Sequence, residues 1–200
     1  AVAMGGFEVR KAARGQMSRR RFIARERSWH GNTLGALSVS GFLERKRAFE
    51  GSLLDVSRLS PANAYRPVAG ATPETVGEAC AQELEDEILR MGPEQICAFI
   101  FEPVVGAAGG CVPAPEGYAR RIRDICDKYG VLMIADEVMC GAGRCGTWRA
   151  LAHDGVEPDM LSLDVPGLPC ADPRVRHRSL HHEPSAGVVG QGVRPGVAGV

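Results

Sequence analysis

The 200-residue chain has no surplus of either charge, with 24 Lys and Arg against 24 Asp and Glu. Neutrality offers no electrostatic reason to bind nucleic acid or an anionic membrane, so a small molecule or a protein is the expected partner. No apolar run approaches the ~18 residues that a membrane span needs, and the first residues lack the apolar core of a signal peptide. The cytoplasm is the expected location. Lysine is scarce: Lys11, Lys46 and Lys128 are the only three, and none sits in a G-x-x-x-x-G-K-[ST] phosphate loop. The seven cysteines include no C-x-x-C pair. Their odd number fits reduced intracellular thiols, and Cys140 and Cys145, with no second pair or histidine cluster at zinc spacing, do not argue for a metal.

What is present suits one α/β domain, with 44% apolar and 24% charged residues. Short apolar runs with abrupt polar edges at 21–25 (RFIAR), 96–101 (ICAFIF) and 131–135 (VLMIA) predict buried parallel strands. Between the last two, Tyr118, Ile122, Ile125, Cys126 and Tyr129 share one helical face, with Pro115 and Glu116 in the expected first turn and Gly130 as the stop. Upstream, Val76, Cys80, Leu84, Ile88 and Met91 form a second stripe that Gly92-Pro93 ends. Helix, strand, helix, strand from about residue 73 predicts a mainly parallel sheet with helices on both faces and ligands at the carboxyl ends of its strands. Residues 42–72 read as a surface excursion. The chain divides into 1–19, 20–164 and 165–200. The last segment has no aromatic residue, no lysine and no periodicity. It reads either as a disordered tail or as sequence out of frame from about residue 164.

In "VLMIADEV" the strand delivers Asp136 and Glu137 to its carboxyl end. Three readings are open there. The pair can be a helix cap or salt-bridged turn. It can be the magnesium-holding acids of an NTPase, which needs the missing phosphate loop. Or Asp136 can be the buried anion that keeps an aromatic nitrogen cofactor protonated, with Val138, two residues along the strand, pressing on the ring and Trp29 covering its other face.

"SWHGNTLGALSVSG", "AFIFEPVVGAAGGCVPAPEGYARRIRDICDKYGVLMIADEVMCGAGRCGTW" and "DGVEPDMLSL" together resemble the class III aminotransferases, a pyridoxal-phosphate-dependent family of fold type I, over roughly residues 20–163. The resemblance implies part of a large cofactor domain that works in a homodimer on amine and keto-acid substrates. It implies that Asp136 pairs with the pyridine nitrogen of pyridoxal 5'-phosphate, that Val138 and Trp29 sandwich the ring, and that Glu102 lies near its reactive edge. His30 and Gly31 belong to the Trp29 turn, in direct contact or as structural neighbours. The loop from Gly141 to Gly146, with Arg144, is expected to be architectural.

Several positions depart from the family pattern. Val165 stands where the resemblance places the Schiff-base lysine, so this chain is expected to be inactive. A non-catalytic remnant or interaction protein is the alternative. The family's phosphate-binding threonine and small C-terminal domain have no match beyond that point. "GGFEVRKAARG" resembles a shortened phosphate-binding turn in which Phe7 replaces a serine and the backbone N–H groups of Gly6 and Phe7 remain. Met139 replaces a glutamine expected at the cofactor's phenolic oxygen. Ala107 stands where the ornithine- and 4-aminobutyrate-type members carry a glutamate, which argues against those substrates.

Overall fold

A computed structural model of the protein describes residues 15–164. The expectations at Gly6, Phe7, Val165 and the segment 165–200 lie outside the described residues.

The sheet begins with β1 (Arg21–Arg25), which lies between β2 (Ser57–Leu59) and β3 (Ile96–Phe101). On the far side of β3 follow β6 (Leu132–Asp136) and β7 (Met160–Ser162), and every pairing is parallel. All six residues of β3 are buried, which is why its run shows no alternation: a central parallel strand is covered on both faces. The two short strands β4 (Val104–Val105) and β5 (Val112–Pro113) form a separate antiparallel hairpin beyond the end of β3.

Residue parity along the strands sorts two cores. Ile23, Phe99, Phe101, Met133 and Ala135 pack with the buried stripes of α3 (Val76–Met91) and α4 (Tyr118–Tyr129). Ala24, Ile100, Ile134 and Met160 face the other way and pack with Val39 from α1 (Leu34–Val39). Leu84 and Ile88 are fully buried, each worth about 1.5–3 kcal/mol in apolar transfer. The outer sides of α3 and α4 are joined by Glu85, which accepts from Lys128 Nζ at 2.7 Å, Tyr129 Oη at 2.9 Å and Arg121 Nη2 at 3.1 Å. The hydrogen bond from Lys128, then that from Tyr129, holds the Glu85 carboxyl below its ordinary range. Gly130 ends α4 at φ 65°, a conformation that costs glycine little.

Two boundaries differ from the sequence expectation. The segment 42–72 is not only an excursion: it contains α2 (Leu43–Lys46) and supplies β2, an edge strand of the main sheet. With only three residues, two of them polar, β2 leaves no apolar run to read. The strand expected at 131–135 runs one residue further, so Asp136 is its last member, hydrogen-bonded into the sheet opposite Ser162. The Glu-Pro-Asp motif explains how β6 is held there. Asp159 Oδ2 accepts from Met133 N at 2.9 Å and from Arg123 Nη1 at 2.8 Å, fastening β6 to the approach of β7 and to α4.

Candidate functional site

Because β1, β3 and β6 are neighbours, the residues at their carboxyl ends meet along one edge of the sheet. The turn after β1 brings Trp29 and His30, the residue after β3 is Glu102, and β6 ends in Asp136. Strand parity turns Asp136 to the same side as Ile134, away from α3 and α4. His30 and Asp136 are each 5% exposed. His30 Nδ1 lies 2.8 Å from Asp136 Oδ2, and since a carboxylate only accepts, Nδ1 carries the proton. The backbone N–H of His30 donates to Ser40 Oγ at 2.8 Å, which ties the turn to the end of α1. His30 Nε2 is buried with no hydrogen-bond partner among the described residues. Among the described residues Asp136 Oδ1 has only a long bond, 3.3 Å from Val138 N, and can accept another.

The adjacent acid does something else. Glu137 points to the opposite side and is fully buried, and its oxygens accept from the N–H groups of Ala150 and Leu151, the latter at 3.0 Å. It therefore caps the 3-10 turn Ala150–Asp154. Burial pushes its carboxyl up from the ordinary value, against the pull of those two N–H groups. The cap reading holds for Glu137, and the NTPase reading loses the second acid it needs on the ligand side. Gly141 belongs to the same architecture: its N–H donates to Glu137 O at 2.7 Å, and a Cβ there would stand 2.3 Å from Leu163 Cδ2.

Trp29 is half-buried, its indole edge-on to Phe42 at 6.4 Å and beneath the Arg45 guanidinium at 4.6 Å. The backbone N–H of Trp29 donates to Glu102 Oε1 at 2.8 Å. Gly31 has φ 123°, outside the range of most side chains, and a Cβ there would touch Ala36 at 3.4 Å. It shapes the turn that leads to Thr33, whose hydroxyl caps α1 by accepting from Ala36 N. Val138 is 39% exposed and sits in the turn after β6 rather than on the strand, so alternation is not what orients it. Arg144 is exposed on the following loop. Neither described lysine reaches this edge: Lys46 Nζ donates to the carbonyls of Ser38 and Ser40, and Lys128 is held by Glu85. Sequence reasoning missed the buried His30–Asp136 pair, which joins residues 106 apart. Among the described residues there is no cluster of three metal-binding side chains and no helix long and apolar enough to cross a membrane.

Comparison with known proteins gives the family of the chain. The family model for aminotransferase class-III matches residues 7–164. The chain is 49% identical over 151 residues to an aminotransferase of Gibberella zeae, covering 74% of this chain and 30% of that protein. It is 39% identical over 154 residues to the adenosylmethionine-8-amino-7-oxononanoate aminotransferase of Nitratidesulfovibrio vulgaris, covering 77% and 28%. Among solved structures, the omega transaminase from Pseudomonas jessenii in complex with PMP superposes with a TM-score of 0.71 at 38% identity, covering 77% of this chain and 34% of that one. The chain thus spans about a third of the length of the curated relatives it matches.

Proposed function

This chain belongs to the aminotransferase class-III family, and from that premise we propose that it forms the middle of a cofactor domain that holds pyridoxal 5'-phosphate for transfer of an amino group from an amine or amino acid to a keto acid. The observation that carries the reading is the buried His30–Asp136 pair at the carboxyl edge of the sheet, with one carboxylate oxygen fixed by the imidazole and the other available. That donor set fits a protonated pyridine nitrogen, which needs a desolvated anion at hydrogen-bond distance. Trp29 and Val138, both partly exposed beside it, fit the two faces of a flat ring. When bound, the cofactor supplies an electron-withdrawing ring that stabilises negative charge at the substrate carbon.

In this reading Asp136 holds the proton at the ring nitrogen and His30 fixes the carboxylate's direction. Trp29 and Val138 orient the ring and exclude water from its faces. The Met139 side chain packs against Gly106 at the same rim, where its thioether offers no hydrogen-bond donor. The functional unit is proposed to be a homodimer of the intact protein. Val165, at the position that the resemblance gives to the lysine, favours a second reading in which the chain binds the cofactor without turnover.

Titrating the purified chain with pyridoxal 5'-phosphate and following its absorption tests both. We expect saturable binding that Asp136→Asn weakens by about tenfold or more, the size of one lost charge-assisted hydrogen bond. Equal binding by wild type and variant, or none by either, defeats the cofactor-site reading. Borohydride reduction followed by mass spectrometry separates the two versions: a single modified lysine supports turnover, and retention without a modified lysine supports binding alone.

A further inference from the structure

Glu102 is 4% exposed at the head of the loop after β3, and both of its oxygens are engaged by backbone. Oε1 accepts from Trp29 N at 2.8 Å and Oε2 from Gly106 N at 2.9 Å. Those two N–H groups belong to different loops, one following β1 and one in the turn of the β4–β5 hairpin beyond β3. A carboxylate suits this position because it only accepts, so two converging donors meet no competing proton. An amide would satisfy one donor and oppose the other with its own N–H.

The second loop is itself braced. A Cβ on Gly106 would lie 2.6 Å from Met139 Cγ and 2.9 Å from Met139 Cβ, so the Met139 side chain occupies the space that this glycine leaves free. Met139 follows directly on Val138. The contacts run in series from Trp29 through Glu102 to Gly106 and on to Met139, linking the loops after β1, β3 and β6. One end of that series, Trp29, and the chain neighbour of the other, Val138, are the residues assigned to opposite faces of the cofactor ring.

We propose that Glu102 is a positioning residue that sets the separation between Trp29 and Val138, and so the width of the slot between them, rather than a group that touches cofactor or substrate. The proposal rests on the cofactor-site reading for what fills the slot, but the strap itself exists without cofactor. Burial is the first cause that pushes the Glu102 carboxyl up from its ordinary range, with the N–H groups of Gly106 and Trp29 acting against it.

The test uses a Trp148→Phe background, which leaves Trp29 as the only tryptophan. In the cofactor-free chain, Glu102→Gln is expected to red-shift Trp29 emission and increase its quenching by acrylamide. Glu137→Gln serves as the control: it removes an equally buried carboxylate that accepts backbone N–H groups elsewhere, and should destabilise the chain without loosening Trp29. With pyridoxal 5'-phosphate added, Glu102→Gln should weaken binding by about tenfold, the equivalent of one hydrogen bond to a charged group. Should Glu102→Gln fail to fold, amide exchange at Trp29 in the unsubstituted chain decides the matter. Protection there supports the strap, and exchange as fast as that of an open loop overturns it. Unchanged quenching in a folded Glu102→Gln also overturns it. If the unsubstituted chain binds no cofactor, the functional reading fails, while the cofactor-free fluorescence still judges the strap.

Discussion

Replacing Glu137 by alanine should cost stability and leave the ligand side of the sheet unaltered. The carboxylate serves two N–H donors, those of Ala150 and Leu151, in residues 6% and 0% exposed. Each buried donor left without an acceptor costs about 1–3 kcal/mol, which places the pair at about 2–6 kcal/mol. Part of that is returned, because burial already pushes the Glu137 carboxyl up, so the charged form is held at some cost. The expectation for Glu137→Ala is therefore about 2–3 kcal/mol, and for the isosteric Glu137→Gln about 1–2 kcal/mol, since the amide oxygen keeps one donor satisfied. Urea denaturation at neutral pH, followed by circular dichroism, should show the alanine midpoint lowered by about 1 M for a slope of about 2–3 kcal/mol per molar. The pH dependence has a fixed sign. A carboxyl whose folded value lies above the ordinary 4.5 contributes stability that is present below that value and lost as pH rises through the folded value. The gap between wild type and Glu137→Gln should then narrow as pH climbs above 4.5. An alanine variant within about 0.5 kcal/mol of wild type, the range of ordinary surface changes, refutes the capping role.

Two further outcomes follow from close packing and from a buried ammonium. Gly41→Ala places a Cβ 2.2 Å from Arg25 O and 2.6 Å from Glu26 Cα, both rigid backbone. Thermal unfolding should fall by roughly 6–10 °C, equivalent to about 3 kcal/mol of overpacking, and an unchanged midpoint counts against the backbone contact drawn here. Lys46 is pushed down from 10.5 to about 8, first by burial and then by Arg58. Between those values the unfolded chain binds a proton that the folded chain lacks, so this group makes stability rise from about pH 8 to 10.5. Urea midpoints across that window should show a rising limb that Lys46→Met removes, and identical slopes in the two proteins would contradict the assignment.

How much was readable in advance depends on how local each cause is. RFIAR and ICAFIF announce β1 and β3 to the residue, because uninterrupted apolar runs between polar edges are a local signal. The stripe Val76, Cys80, Leu84, Ile88 and Met91 announces α3, although its start was expected near residue 73 and lies at Val76. The strand Ser57–Leu59 carries no such pattern, since its place is fixed by pairing with β1 and not by its own side chains. Asp136 is legible as the residue at a strand's carboxyl end. The separate task of Glu137 was not available from alternation, because β6 ends at Asp136; it follows from the N–H groups of Ala150 and Leu151, residues distant in sequence. Glu102 is the instructive case: its motif marks the position, but only the two backbone N–H groups around it distinguish a strap from a ligand.

The register of the sheet also constrains when the site can exist. Strand β1 sits between β2 and β3, and its partner in the site, Asp136, is 106 residues from His30. Every pairing in the main sheet is parallel, so none can close through a tight hairpin, and each waits for a loop of chain to be gathered first. The segments that carry His30 and Asp136 are therefore joined by long closures, which are slow to form and leave apolar strands uncovered meanwhile. During synthesis the His30 imidazole must remain without its carboxylate partner until Asp136 has emerged. The time spent in that half-assembled state, more than the strength of any contact within it, is what a chaperone acting on this chain would shorten.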